Sequence, residues 1–300
     1  MLHLSPRSLA LRTVVSDLQQ RLGMVPDAAI VLGSGLGGFV DRMDVTQRIA
    51  YHDLPGLPAS SAGGHAGEFV LGQFGGKTII AMAGRLHRYE GHSMQTVTMP
   101  VLSMVGLGAT QLIVSNAAGG LNPNYRVGDL VCITDHIDWT MPMRDQRQVG
   151  NTQRAAAAQT HSERIDPTLS AEAGGMLTRG ESVYDQRMIQ SAITHCRAMG
   201  VTMHCGTYLA TLGPTYETRS EYRMMRRLGA DLAGMSTVPE VLAVKRCHAE
   251  TRILAISLVS NVAKVDVPPG QLPPTNHEEV IAAGKSAEES LTKIVAAVLR

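Results

Sequence analysis

The run Gly33-Ser34-Gly35-Leu36-Gly37-Gly38 directly follows an apolar stretch, Ala28-Ala29-Ile30-Val31-Leu32. Glycines let successive backbone N–H groups converge on one point, and Ser34 adds a hydroxyl donor, so the loop is suited to an anion. Two chemistries fit it. Gly33, Gly35 and Gly38 satisfy the G-x-G-x-x-G spacing of a dinucleotide turn, with Asp53 about twenty residues on, where a ribose-binding acid would stand. That reading makes the chain an NAD-dependent dehydrogenase. The other reading is a loop for a single phosphate. Against the first, GFVDRMDVTQRIAYHD leaves little room for a crossover helix and a second buried strand, and Asp53 falls in the turn-like HDLPGLP. A purely structural turn is the third option. Metal chemistry has no counterpart in the pattern: Cys132, Cys196, Cys205 and Cys247 form no C-x-x-C pair and read as free thiols of a reducing compartment.

Such a loop needs a scaffold, and strand-like runs alternate with helical ones along the chain. Segments 28–32, 68–74, 77–83, 112–115, 129–134, 204–211 and 252–260 read as strands, with Gly75-Gly76 as a tight hairpin turn. Helical patterns cover 94–107 and 184–199, and Leu9, Val14, Leu18 and Leu22 suggest one face of an N-terminal amphipathic helix. Three S/T-x-x-E boxes announce later helices: Thr218 with Glu221, Thr237 with Glu240, and Thr275 with Glu278. Pro239 sits in the first turn of the second, where a missing N–H costs nothing. The expectation is an α/β fold, one domain over 1–300, with a mixed central sheet flanked by helices. The stretch at about 141–176 is rich in Arg, Gln, Ala and Ser and has almost no strand pattern. It reads as an irregular insertion, either a solvated surface segment or a lid over the site.

Composition narrows the partners. The chain has 300 residues, 44% hydrophobic and 18% charged, with a formal net charge of +1. A general nucleic-acid binder would show a clustered basic excess. Here the basic residues are spread along the chain, which also argues against a polybasic membrane patch. No apolar run approaches the ~18 residues of a membrane span, and the N-terminus lacks the pattern of a signal peptide. A cytoplasmic protein with no nucleic-acid or membrane partner is expected.

Eight segments then occur in order: LGSGLGGF (32–39), PGLPASSAGGHAGE (55–68), AGRLHRYEGH (83–92), SNAAGGLN (115–122), GPTYETRSE (213–221), ADLAGMSTVPE (230–240), SLVSN (257–261) and NHEEV (276–280). Together they resemble the trimeric, low-molecular-mass purine nucleoside phosphorylases, of the nucleoside phosphorylase family that includes methylthioadenosine phosphorylase. The resemblance implies a single α/β domain around a mixed, partly barrel-like sheet, and a homotrimer with sites near its subunit interfaces. It also implies phosphate-dependent cleavage of the N-glycosidic bond of 6-oxopurine (deoxy)ribonucleosides such as inosine and guanosine. Free base and (deoxy)ribose 1-phosphate are the products, and no cofactor or metal is needed, phosphate being a substrate. Two departures stand out. The stretch from about 141 to 177 is unlike the family pattern, and Leu177 aligns roughly where an aromatic residue of the family reaches a neighbour's ribose. Val262 stands where some members carry a lysine after the purine-binding asparagine. Asn261 itself argues against methylthioadenosine phosphorylase, which has an aspartate there. An inactive member acting as a binding module would be expected to lose Arg85 or Asn261, and both are present.

Carried over by motif, phosphate is met by Ser34, Arg85, His87, Ser236 and the backbone N–H of Ala117. Arg85 offers a permanent charge and a planar fork matched to phosphate oxygens. His87, two residues on, shares its side of an extended segment, and Ser236 precedes a helix N-terminus that favours an anion. The ribose is expected to meet Tyr89, Met235 and His277, the last at the start of the C-terminal helix. The base is expected to meet Tyr216, Glu217 and Asn261. Catalytic roles fall to Asn261, His87 and Glu217. Asn116, ending another apolar strand, is either a ligand group or a structural hydrogen bond, and His65 could close over the phosphate.

Overall fold

A computed structural model of the chain describes residues 6–60, 66–140, 182–263 and 277–299. The elements follow in the order α1 (Pro6–Leu22), β1 (Ala28–Leu32), β2 (Asp44–Ala50), β3 (Glu68–Phe74), β4 (Lys77–Ala83), α2 (Met94–Gly106), β5 (Gln111–Gly120) and β6 (Leu130–Asp138). After these come α3 (Gln186–Ala198), β7 (Met203–Ala210), α4 (Arg219–Arg227), β8 (Leu232–Gly234), α5 (Val238–Cys247), β9 (Arg252–Val262) and α6 (His277–Val298). The insertion at about 141–176, His65 and the Thr275 cap lie outside the described residues.

The apolar runs become strands covered on both faces, as near-continuous hydrophobic strands of α/β proteins are. All five residues of β1 are buried, and it pairs in parallel with β4 on one side and β5 on the other. The sheet order is β2-β3-β4-β1-β5-β8-β7-β6-β9, and β9 returns to pair with β5. Strands β5, β8, β7, β6 and β9 therefore close into a five-stranded mixed barrel, from which β1, β4, β3 and β2 extend. Helices α1, α2 and α6 join the strands in one buried cluster that runs from Val14 to Leu299. A smaller cluster of Leu121, Leu209, Met225, Ala230 and Ala233 lies beneath α4.

The hairpin between β3 and β4 turns at Gly75 and Gly76, whose φ angles of 57° and 77° suit a two-residue turn of the mirror-image type. After β1 comes no crossover helix. A 3₁₀ turn (Gly37–Arg42) leads into β2, which pairs antiparallel with β3. A dinucleotide fold requires a helix leading to a parallel strand at that point, so the dehydrogenase reading of the glycine loop is excluded. Strand β2 has no apolar run, because it is mostly exposed at the sheet edge, and periodicity does not disclose it. Strands β5 and β6 continue past their apolar runs into NAAGG and TDHID, where small and polar residues form the barrel rim. In α1, Val14, Leu18 and Leu22 are buried but Leu9 is 59% exposed. The step from 9 to 14 rotates by about 140° around a helix, and Leu11 packs on the core instead.

One feature of β5 positions the site. Its residues 111–114 run beside β1 and its residues 119–120 beside β8, on the edge opposite β9. Between those pairings, residues 115–118 have no strand on that edge. The glycine loop, the end of β4 and the N-terminus of α5 gather at this gap.

Candidate active site

Arg85 follows β4 and is 2% exposed. Its Nε donates to both carboxylate oxygens of Glu240, at 3.0 and 3.2 Å, and its Nη1 donates to the Ser115 carbonyl in the β5 gap at 2.8 Å. Glu240, on α5, is itself 1% exposed. A buried guanidinium without a counter-charge would be strongly unfavourable, so this carboxylate is what allows Arg85 to lie inside. The backbone that carries Arg85 is tied down as well. Tyr51 Oη donates to the Gly84 carbonyl at 2.8 Å, and Ser60 Oγ to the Arg85 carbonyl at 3.1 Å.

The glycine loop meets Arg85 from the other side. A Cβ on Gly33 would come within 2.8 Å of the Ser115 carbonyl oxygen and Asn116 Cα, and within 3.0 Å of Arg85 Nη1. Gly35 has φ +74°, and any Cβ there would meet Ile281 and Gly284 of α6. Glycine is therefore required at these two points for close approach, and Ser34 is held between them. Ser115 completes the junction, its hydroxyl donating to the Val31 carbonyl at 2.9 Å. Because backbone groups two residues apart on a strand face the same edge, the Ala117 N–H is directed into the same gap as the Ser115 carbonyl.

His87 Nδ1 lies 3.0 Å from Glu90 Oε1, and the His87 ring stacks on Tyr89 at 4.7 Å. In the tautomer whose Nδ1–H donates to this carboxylate, Nε2, across the ring, is an acceptor. Burial holds the His87 pKa below its ordinary value; the Glu90 hydrogen bond opposes this and the Arg85 charge adds to it. Tyr89 is pushed up to about 12 by burial first, then by Glu90 and Tyr216.

Between β8 and α5 the chain makes a tight turn. Val238 N–H donates to the Ser236 carbonyl at 2.8 Å around Thr237, whose φ of 72° and ψ of −62° are those of a γ-turn of the rare, strained kind. Thr237 is the only non-glycine residue with positive φ among the described residues. Asn116 Nδ2 donates to its hydroxyl at 2.9 Å. The Thr237–Glu240 capping box read from the sequence is therefore not formed. Thr237 turns to Asn116 and Glu240 to Arg85, while Thr218 and Glu221 make their box in full on α4. Ser236 sits at the mouth of α5, beside Tyr208 Oη. Asn116 Oδ1 is buried and has no hydrogen-bond partner among the described residues.

Past the barrel rim the side chains become more open. Gly213 packs against Met235 and the Tyr89 ring, and Tyr89 and Tyr216 are 38% and 44% exposed. Glu217 is half-buried. Thr211 Oγ1 donates to its Oε1 at 3.0 Å, and the Tyr222 hydroxyl lies beside the same carboxylate. Burial raises the Tyr222 pKa first, and the Glu217 charge adds to it. Asn261 ends β9 over Gly119, with Ser260 Oγ 3.1 Å from its Oδ1. The same Ser260 hydroxyl lies 3.3 Å from the Ala118 carbonyl, so its one proton is shared between β5 and the Asn261 amide. His277 opens α6, and its side chain lies outside what is described.

Arg85, Gly33, Asn116 and Thr237 thus meet at the β5 gap, with Ser34 and Ser236 each next in sequence to one of them and His87 two residues beyond Arg85; Tyr89 and Met235 pack at Gly213, Glu217 is bonded by Thr211, and Asn261 lies over Gly119. Sequence reasoning missed Glu240, Thr211, Tyr222 and Ser260. The need of a buried arginine for a counter-charge was the available signal for Glu240; it was masked by the competing cap pattern. Among the described residues no group of three or more His, Cys, Asp or Glu is placed to hold a metal ion. No helix among them is long and apolar enough to cross a membrane.

Comparison with known proteins adds independent findings. The model of the phosphorylase superfamily matches residues 27–300. Purine nucleoside phosphorylase 1 of Bacillus subtilis (strain 168) is 38% identical over 285 residues, 94% of each chain. The purine nucleoside phosphorylase of Mus musculus is 37% identical over 289 residues, 96% of this chain and 93% of the relative. Among solved structures, Schistosoma mansoni purine nucleoside phosphorylase in complex with inosine superposes with a TM-score of 0.79 at 32% identity, covering 97% of this chain and 95% of that one. The same schistosome protein in complex with adenosine gives 0.79 at 32% identity over 96% and 95%.

Proposed function

This chain belongs to the phosphorylase superfamily, and on that premise we infer that it is a purine nucleoside phosphorylase. It cleaves the N-glycosidic bond of a purine (deoxy)ribonucleoside with inorganic phosphate and releases the free base and (deoxy)ribose 1-phosphate. The observation that carries the reading is the β5 gap, where a buried arginine, a glycine loop and a helix N-terminus meet beside a half-open aromatic rim.

In this reading the gap holds phosphate. Arg85 supplies charge, Ser34 and Ser236 supply hydroxyls, and the Ala117 N–H and the α5 terminus supply backbone dipole. Arg85 and Glu240 cancel one another's charge, so the empty site carries little net charge and the fixed dipoles carry much of the attraction. A neutral His87 accepts a hydrogen bond at Nε2 from a protonated phosphate oxygen. Phosphate then attacks the anomeric carbon from the face away from the base. The sugar passes through an oxocarbenium-like state, and the purine leaves with negative charge. Tyr89, Met235 and His277 wrap the sugar, and the buried Asn116 Oδ1 supports a role for that amide in meeting a sugar hydroxyl. Tyr216 packs on the purine face, Glu217 accepts from N1–H, and the Asn261 NH2 donates to N7 or O6 with increasing strength as charge builds on the base. These residue roles are proposals, supported by the convergence described above.

We further propose a cytoplasmic homotrimer that needs neither metal nor organic cofactor. Family resemblance supports the trimer, as do the large exposed residues Tyr89, Trp139, Leu212 and Tyr216, which a neighbouring subunit would cover. A fully active monomer in light scattering would reject it. The test of function is absorbance: hypoxanthine release from inosine should require phosphate, and release at the same rate without phosphate would overturn the reading.

A further inference from the structure

Glu217 is the only base-facing residue of this reading that carries a charge, and it stands at a half-open rim. A carboxylate free to rotate there loses its aim. A 6-oxopurine presents a donor at N1 that a fixed carboxylate oxygen accepts; a 6-aminopurine presents an acceptor at N1, which that oxygen does not match.

Two side chains from different elements lie against this carboxylate. Thr211 lies just past the end of β7, its N–H bonded to the Gly234 carbonyl at 2.8 Å and its hydroxyl donating to Glu217 Oε1 at 3.0 Å. Tyr222 lies on α4, packs on the small core cluster under that helix, and sets its phenol beside the same carboxylate. Both are anchored by contacts independent of Glu217, so they can dictate its position rather than follow it. We infer that Thr211, backed by Tyr222, is a positioning residue that holds Glu217 in one orientation, and so sets the preference for 6-oxopurines over 6-aminopurines. The inference rests on the purine nucleoside phosphorylase reading and deepens it.

The experiment compares Thr211→Val, Tyr222→Phe, the double variant and Thr211→Ser with wild type, each checked for an unchanged melting profile. Inosine and adenosine are assayed with phosphate at one neutral pH, and the ratio of their kcat/KM values is read. Thr211→Val should raise the KM for inosine about tenfold, a lost charge-assisted bond, with kcat little changed. The inosine-to-adenosine ratio should fall with it, and further in the double variant. Thr211→Ser should restore both. A wild-type ratio in the double variant, or a Thr211→Ser as impaired as Thr211→Val, would overturn this inference alone. A wild-type protein that releases no hypoxanthine from inosine and phosphate would instead overturn the parent reading.

Discussion

At one end of the site Arg85 is 2% exposed and bonded to a buried carboxylate and a backbone carbonyl; at the other Tyr216 is 44% exposed and Glu217 is bonded by the Thr211 hydroxyl. The anion end is built from the inner strands β1, β4 and β5 and the mouth of α5, and much of what it offers is backbone. The base end is built from the loop after β7, the first turn of α4 and the end of β9. An end made of backbone dipoles and a buried ion pair cannot be retuned without damage to the fold. An end made of hydroxyls and an amide at a rim can change its selectivity one residue at a time. In the proposed reading phosphate is common to every reaction and the base is not, so the rigid half would serve the shared ligand and the adjustable half the variable one.

The largest effect expected bears on the base end. Adenine offers Glu217 a lone pair in place of a proton, and a site built around specific polar partners rejects such a mismatch by on the order of 10⁴-fold. The kcat/KM for adenosine should fall below that for inosine by about that factor. Asn261→Asp should narrow the gap, since a carboxylate accepts from a 6-amino group and repels O6. Comparable kcat/KM for the two nucleosides in the wild type would break the assignment of the base end.

The next effect bears on the anion end. Arg85→Ala should lower kcat/KM by about 10³-fold or more, the scale of losing a charged transition-state contact in a water-poor site. The loss should appear with inosine and guanosine alike, whereas base-end variants should separate them from adenosine. Phosphate saturation kinetics like those of wild type in Arg85→Ala would remove the anion end as drawn. A chelator should change nothing in either half.

A smaller effect tests whether the buried pair is structural. Glu240→Gln leaves Arg85 without its counter-charge and should cost about 3 kcal/mol of stability. Added phosphate should raise the Tm of this variant more than that of wild type, because the anion then supplies the missing charge. Equal phosphate-induced shifts in thermal melts would show that phosphate does not reach Arg85.

The smallest is a pH trend of the fold. Burial holds His87, His136 and His248 below the ordinary imidazole value. Below about pH 6.5 the unfolded chain then binds more protons than the folded one, so stability falls as pH drops through that value toward the folded pKa values. Tm should be level between pH 7 and 8 and decline from 6.5 toward 5. A Tm that rose over the acid range would contradict the burial of these rings.

How far the sequence speaks differs between the same two regions. Strands 28–32, 68–74 and 77–83, the Gly75-Gly76 hairpin and the Thr218 box are all realised as read, because periodicity and turn chemistry act over a few residues. Strand β2 stayed hidden because an exposed edge strand needs no apolar pattern. Arg85 could be singled out from its motif, but not the way it is held. Arg85 and Glu240 are separated by 155 positions, and nothing local pairs them. The same glutamate satisfies a local rule, the box with Thr237. A cap contributes about 1 kcal/mol, whereas an uncompensated buried charge costs about 3–5 kcal/mol. The tertiary structure therefore decided that contest: once β4 and α5 bring Arg85 inside, the carboxylate goes to the guanidinium, and Thr237 is left to a strained turn that Asn116 holds in place.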